Sequence, residues 1–111
     1  MSTRRVQKVS ELLRQQLSIL IREDLPDDLG MITVTAVNTS DDLKEANVYI
    51  SCLDKSSEAQ ALKALEEKTK EFQQILGKRL MMKFTPKLKF RLDKASEKVN
   101  RIEQLLEEIE K

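Results

Sequence analysis

Lys83, Lys87, Lys89 and Arg91 share one set of alternating positions in the stretch MKFTPKLKFRLD, with Thr85 as the fifth member of that set. Side chains two apart on a strand leave the same face about 6.7 Å from one another. Each cation in such a row can neutralise a phosphate and release a counterion, so the chemistry on offer is binding to a polyanion. Three neighbouring groups extend it: Lys78 and Arg79 just upstream, Lys68 and Lys70 around Thr69, and Arg4, Arg5 and Lys8 near the start. Contacts of this kind position a protein on a nucleic-acid backbone without reading bases. The same row has a second explanation, because charge on an edge strand also blocks pairing with other chains.

Other chemistry is poorly provided for. The chain has no histidine and one cysteine, Cys52, so neither an intrachain disulfide nor the usual zinc ligand set can be assembled. No glycine-rich phosphate loop and no nucleophile beside a base is present, so no metal or catalytic centre is expected. Asp27-Asp28 and Asp41-Asp42 sit in turn-like stretches, where hydrogen bonding to the backbone explains them. The net charge of +1 hides a polarised chain: +4 over residues 1–22, −7 over 23–60, +6 over 61–94 and −2 over 95–111. Such segregation points to an anionic partner better than the total does. No run is long enough to cross a membrane and no signal-peptide pattern opens the chain, so a cytoplasmic location is the default.

The elements that must hold these cations follow from periodicity. At 111 residues one domain is expected. Val6, Val9, Leu12, Leu13, Leu17, Leu20 and Ile21 form a helical stripe over residues 3–23, which Pro26 ends. Ile32, Val34 and Ala36 alternate with Thr33, Thr35 and Val37 as a strand. After a turn at Ser40–Lys44, a second strand points Ala46, Val48, Ile50 and Cys52 inward, antiparallel to the first. Ser57, with Gln60 three residues on, reads as a capping box for a helix whose stripe is Leu62, Leu65, Thr69, Phe72 and Leu76. Gly77 suits the left-handed residue that ends it, and Lys78 and Arg79 suit its dipole. Unbroken, that helix would run about 33 Å. The polar run Glu67–Glu71 weakens its stripe, so a bend is expected there.

The basic strand is expected to begin at Met82 and reach Leu92, with Pro86 marking an edge or a bulge. Its apolar face would bury Phe84, Leu88 and Phe90. With Phe72 also assigned to the core, Tyr49 is the one aromatic left on a polar strand face. Residues 95–110 form a last helix with the stripe Val99, Ile102, Leu105, Leu106 and Ile109. The result is an α+β domain of order helix, strand, strand, broken helix, strand over residues 1–94, with one sheet face covered by helices, followed by a C-terminal helix over 95–111.

The stretches LGMITVTAV at Leu29–Val37, SDDLKEANVYIS at Ser40–Ser51, LGK at Leu76–Lys78 and PKLKFRLD at Pro86–Asp93, with Arg5-Val6, resemble bacterial ribosome-binding factor A in order and spacing. The resemblance implies a KH-like fold of type II topology. It implies binding to the small (30S) ribosomal subunit and a role in late maturation and processing of 16S rRNA, often tied to growth in the cold, with no catalysis and no cofactor. Ribosomal proteins join the rRNA as expected partners, and a monomer is expected. Two departures stand out. Lys68-Thr69-Lys70 occupies the place of the family's Ala-x-Gly kink, and Pro26-Asp27-Asp28 replaces its Asp-Pro-Arg. The alternative reading is a protein-interaction module that docks on a basic partner through the acidic 23–60 region and the C-terminal helix.

Overall fold

The computed structural model describes residues 3–25 and 31–94. Its elements are α1 (Arg4–Asp24), β1 (Ile32–Thr39), β2 (Glu45–Cys52), α2 (Glu58–Glu67), α3 (Thr69–Arg79) and β3 (Lys87–Leu92). The helix expected over 95–110, and the loop at Pro26-Asp27-Asp28, lie outside the described residues.

β2 is central in a three-stranded sheet, antiparallel to β1 and parallel to β3. Its Ala46, Val48 and Ile50 are fully buried and Cys52 nearly so, as strict alternation requires of a strand covered on one face. α1 contributes Leu13, Leu17, Leu20 and Ile21 to the same core, α2 contributes Leu65, α3 Phe72 and Leu76, and β3 Leu88 and Phe90. Thr3 caps α1 by accepting from the Val6 N–H at 3.2 Å. Ser10 ties that helix to the sheet: its hydroxyl donates to Thr39 Oγ1 at 2.8 Å and accepts from the Thr39 N–H at 3.2 Å. Leu12, expected within the α1 stripe, lies at its margin and is exposed.

Four local expectations need correction. β1 carries a bulge between Val34 and Ala36, because Val34 pairs with Ile50 while Ala36 pairs with Tyr49. Thr35 is the extra residue, and its hydroxyl donates to the Tyr49 carbonyl at 3.2 Å. The inserted residue flips the alternation, so Val37 and Thr39 turn inward and Ala36 does not. Ser57 makes no side-chain cap; it already has helical backbone angles, because a 3₁₀ turn at Lys55–Ser57 precedes α2. Asp54 caps that turn instead, accepting from the Ser56 N–H at 3.0 Å.

The third correction concerns Gly77, which lies within α3. The left-handed residue is Met81, with φ 53°, and it closes a Schellman motif: the Met82 N–H donates to the Gly77 carbonyl at 3.0 Å and the Met81 N–H to the Lys78 carbonyl at 3.4 Å. Gly77 is needed for a different reason, since a Cβ there would stand 2.7 Å from Thr85 Oγ1. Fourth, β3 begins at Lys87 and not at Met82. Its first pairing is Lys87 with Glu45, and upstream of Glu45 the chain has turned away through Ser40–Lys44, so residues 82–86 have no strand to pair with. Phe84 therefore leaves the core and is 77% exposed.

The expected break in the central helix falls at Lys68, between α2 and α3. The Thr69 hydroxyl donates to the Leu65 carbonyl at 3.1 Å, and the Lys68 N–H donates to the same carbonyl at 3.1 Å. A tightened 3₁₀-type turn and a side-chain donor thus replace one rung of the α-helical ladder.

Two stability outcomes follow. Ile50→Ala should cost about 2–5 kcal/mol, whereas Thr35→Ala should cost about 1 kcal/mol or less, and urea unfolding distinguishes them. Equal losses would mean that the register is wrong. Gly77→Ala should destabilise by about 1–3 kcal/mol less the ~1 kcal/mol that alanine gains as a helix former. Thr85 is held in place by donating to the Gln73 carbonyl at 3.0 Å and cannot simply swing aside. In a Thr85→Ala background the same substitution should be neutral or stabilising, and a double-mutant cycle reads the difference.

Candidate nucleic-acid interface

β3 lies at the edge of the sheet, and its Lys87, Lys89 and Arg91 sit opposite Glu45, Asn47 and Tyr49 of β2. All three leave the sheet face that the helices do not cover. Lys89 Nζ pairs with Glu45 Oε1 at 3.4 Å, and Arg91 Nε donates to Asn47 Oδ1 at 3.1 Å, so two members of the row are oriented by side chains of β2. Lys87 is exposed at the start of the strand. These are half-solvated contacts, worth little to stability but able to hold a long side chain in one direction.

The break between α2 and α3 meets this strand. Glu66 and Thr69 join Leu88, Lys89, Phe90 and Arg91 around an open cleft of about 350 Å³. Lys70 is exposed on the first turn of α3, while Lys68 pairs with Glu71 at 3.3 Å. Thr69 therefore shares one groove with Lys89 and Arg91, although they stand far apart in sequence, while Lys68, Lys70 and Lys87 lie outside its lining.

The other cations divide. Arg79 reaches back to α1, with Nη1 donating to Gln16 Oε1 at 3.3 Å and Nη2 3.9 Å from Glu23, so it also joins two helices. Lys78 shares the last turn of α3, where the helix dipole favours it. Lys83 does not stand in the strand row. It belongs to the loop before β3, with its ammonium 5.7 Å from the centre of the Phe84 ring. Arg4, Arg5 and Lys8 are exposed on the opening turns of α1, which carry no acidic residue. Cations are disfavoured at a helix N-terminus, so helix stability does not account for them. Ser10 meets Thr39 at the end of the sheet where β2 and β3 begin, and these three cations precede Ser10 on α1.

Cys52 is buried, and burial, followed by the nearby carboxylates of Glu58 and Asp54, pushes its thiol pKa up. The thiolate needed for nucleophilic or metal chemistry is disfavoured. Among the described residues no cluster of histidine, cysteine, aspartate or glutamate could hold a metal ion, and no helix is long and apolar enough to cross a membrane. Asp42 orders the β1–β2 turn by accepting from the Ser40 hydroxyl at 2.7 Å and the Lys44 N–H at 3.0 Å, and both bonds hold its carboxyl pKa below the usual value. Phe84 escaped the sequence reading because its place in the alternation mimicked a strand. The signal against burial was Pro86, which offers a ladder no N–H.

An α–β–β–α–α–β order, with a kink between helices facing the edge strand of a mixed three-stranded sheet, defines a KH-like domain. Over residues 5–106 the sequence matches the family model described as Ribosome-binding factor A. It is 36% identical to ribosome-binding factor A of Coxiella burnetii over 95% of this chain and 89% of that protein. The corresponding protein of Bdellovibrio bacteriovorus is 38% identical, over 96% of this chain and 81% of its own. The crystal structure of ribosome-binding factor A from Thermus thermophilus superposes with a TM-score of 0.71 at 26% identity, covering 78% of this chain and 94% of that one. A homology model of the Thermus protein, fitted into a cryo-electron-microscopy map of its complex with the 30S subunit, matches at a TM-score of 0.69 and 29% identity, over 78% and 92%. The chain belongs to the ribosome-binding factor A family.

The Lys89–Glu45 pair supplies a test of the local electrostatics. Glu45→Gln should shift stability by no more than about 0.5 kcal/mol. It should free Lys89 and raise the salt concentration at which the protein elutes from heparin. Glu58→Gln removes the same charge from the start of α2 and should raise it less. Equal shifts would mean that only total charge matters.

Proposed function

We propose that this chain is an assembly factor that binds the small ribosomal subunit and assists late maturation and processing of 16S rRNA, acting by binding and without catalysis. The observation that carries this reading is the joining of family membership to a basic edge: the Thermus relative was fitted into a 30S complex, and here Lys89 and Arg91 of β3 line a groove with Thr69 of the helix kink, with Lys87 and Lys70 exposed on the same two elements. A cytoplasmic location accompanies such a role. The site is read as Lys68, Thr69, Lys70, Lys87, Lys89 and Arg91 around the groove, supported by Lys78, Arg79 and Lys83 at the end of α3 and in the following loop. Arg4, Arg5 and Lys8 form a further patch. Phosphates along a folded RNA strand meet a row of cations that the sheet already holds extended, so little ordering entropy opposes binding.

Replacing Lys87, Lys89 and Arg91 together by Gln should leave folding intact, since substitutions on a solvated face shift stability by only a few tenths of a kcal/mol. It should weaken binding to purified small subunits and flatten the log–log salt dependence by about two to three units. Binding over a salt series, with light scattering of the free protein, reads this out. Unchanged affinity and slope in a folded triple variant would remove β3 from the interface. Self-association with unchanged affinity would assign these charges to edge protection instead. For the function as a whole, wild-type protein should sediment with free small subunits in a lysate gradient. A protein that stays at the top in low salt would refute the reading.

A further inference from the structure

Between α3 and β3 the chain exposes Met81 at 91% and Phe84 at 77%. The segment that carries them is anchored at both ends. Upstream, the Leu80 N–H donates to the Leu76 carbonyl at 2.9 Å, and the Schellman bonds of Met81 and Met82 close α3. Downstream, Thr85 is bound to the Gln73 carbonyl, Pro86 is fully buried, the Lys87 N–H donates to the Lys44 carbonyl at 2.8 Å, and the Leu88 N–H donates to Gln73 Oε1 at 3.1 Å. The ring is thus presented by a short span fixed on either side.

The chain on either side of Phe84 is basic in sequence. From Phe72 to Leu92 the sequence contains Lys78, Arg79, Lys83, Lys87, Lys89 and Arg91 and no acidic residue. Lys83 places its ammonium 5.7 Å from the ring centre. An apolar anchor bound for a protein pocket would be framed differently, since lysine is depleted in the cores of protein–protein interfaces. Exposed aromatic rings set among cations are the arrangement by which proteins hold unpaired nucleotides: the ring stacks on a base, and the cations take the flanking phosphates.

We infer that Phe84 is a stacking platform for an unpaired base of the RNA, with Lys83 and Lys87 neutralising the adjoining phosphates. This rests on the function proposed above and adds to it a contact with a base. Because every base has a π-face, the contact adds affinity and selects single-stranded over helical RNA without reading base identity.

The test uses the full chain and purified bacterial small subunits, with wild type, Phe84→Ala, Phe84→Leu and Phe84→Trp compared across a salt series. The alanine and leucine variants should bind roughly five- to a hundred-fold more weakly with an unchanged salt slope, because stacking releases no counterion. The tryptophan variant should keep wild-type affinity. The chain has no other tryptophan, so its emission reports the site directly and should be quenched on saturation with subunits. Thermal melting should be unaffected by all three. Alanine binding within twofold of a tightly bound, salt-dependent wild type would overturn the inference and leave the proposed function standing. Full affinity in the leucine variant beside loss in the alanine variant would mean an apolar protein pocket, and would overturn it too. An unquenched tryptophan in a saturated complex overturns it without reference to affinity. Failure of the wild type to bind subunits would remove both.

Discussion

The inward half of β2 is what everything else rests on. Ala46, Val48 and Ile50 have no measurable exposure, and β2 is hydrogen-bonded along both edges. Period-two geometry then fixes the opposite half, Glu45, Asn47, Tyr49 and Ser51, on the uncovered face. A slip of one residue would exchange the two sets and bury Glu45 and Asn47, at the cost of desolvating a carboxylate and an amide. That penalty locks β3 as well, because its parallel register sets Leu88 beside Ala46 and Phe90 beside Val48. The positions of Lys87, Lys89 and Arg91 are therefore a by-product of core packing, which is why the row can stay ordered without strong ion pairs.

Elements governed by one periodicity were legible in the sequence. α1, β2 and the core half of β3 follow from apolar spacing alone, and so does the break near Lys68, where the stripe runs out of large apolar residues. What was not legible depended on a competing local bond or on the absence of a partner. The bulge at Thr35 is set by the fit between β1 and β2, and nothing in ITVTAV distinguishes a continuous alternation from one with an inserted residue. Ser57 lost its cap because Asp54 begins a 3₁₀ turn first. Phe84 continues a perfect alternation in the sequence, yet a strand needs a neighbour, and β2 begins only at Glu45. Of the candidate site, the strand cations and the Lys68–Lys70 group were readable as charges. That Thr69 shares a groove with Lys89 and Arg91 was not readable from the charges, because it depends on how the two halves of the broken helix pack against β3.

The kink between α2 and α3 is made without glycine. Its mechanism is a side-chain donor: Thr69 bonds the Leu65 carbonyl that an uninterrupted helix would offer to the Thr69 backbone. Lys68 sits at φ −90° and ψ −1°, and with φ negative the kink does not need the left-handed backbone that favours glycine. A position freed from the need for glycine can carry a long side chain, and here lysines stand on both sides of Thr69. Under the function proposed above, a glycine-containing loop would approach a nucleic-acid backbone with its own N–H groups, whereas this segment would approach only as closely as its side chains allow and would substitute charge for proximity. The exchange replaces short directional hydrogen bonds by longer-range attraction, which is more tolerant of geometry and more sensitive to salt.

Sensitivity to salt raises the question of how a basic surface avoids every other polyanion in a cell. Part of the answer is that the surface is tempered. Glu45 of β2 pairs with Lys89 of the β3 row, Glu71 stands beside Lys68, and Glu23 near Arg79. Under the proposed function, each such carboxylate would have to be outcompeted by a phosphate arriving at the right place, so the gain from a randomly placed polyanion would be small while that from a matching one would remain. The total charge of +1 works in the same direction, since the long-range field is weak and the attraction is confined to about a Debye length of the groove. Under the function proposed above, specificity would belong to the shape of the partner: several phosphates would have to coincide with cations that the sheet and the kink hold at fixed spacing. A folded RNA whose backbone follows that spacing satisfies the requirement, whereas a flexible strand must give up conformational entropy to imitate it.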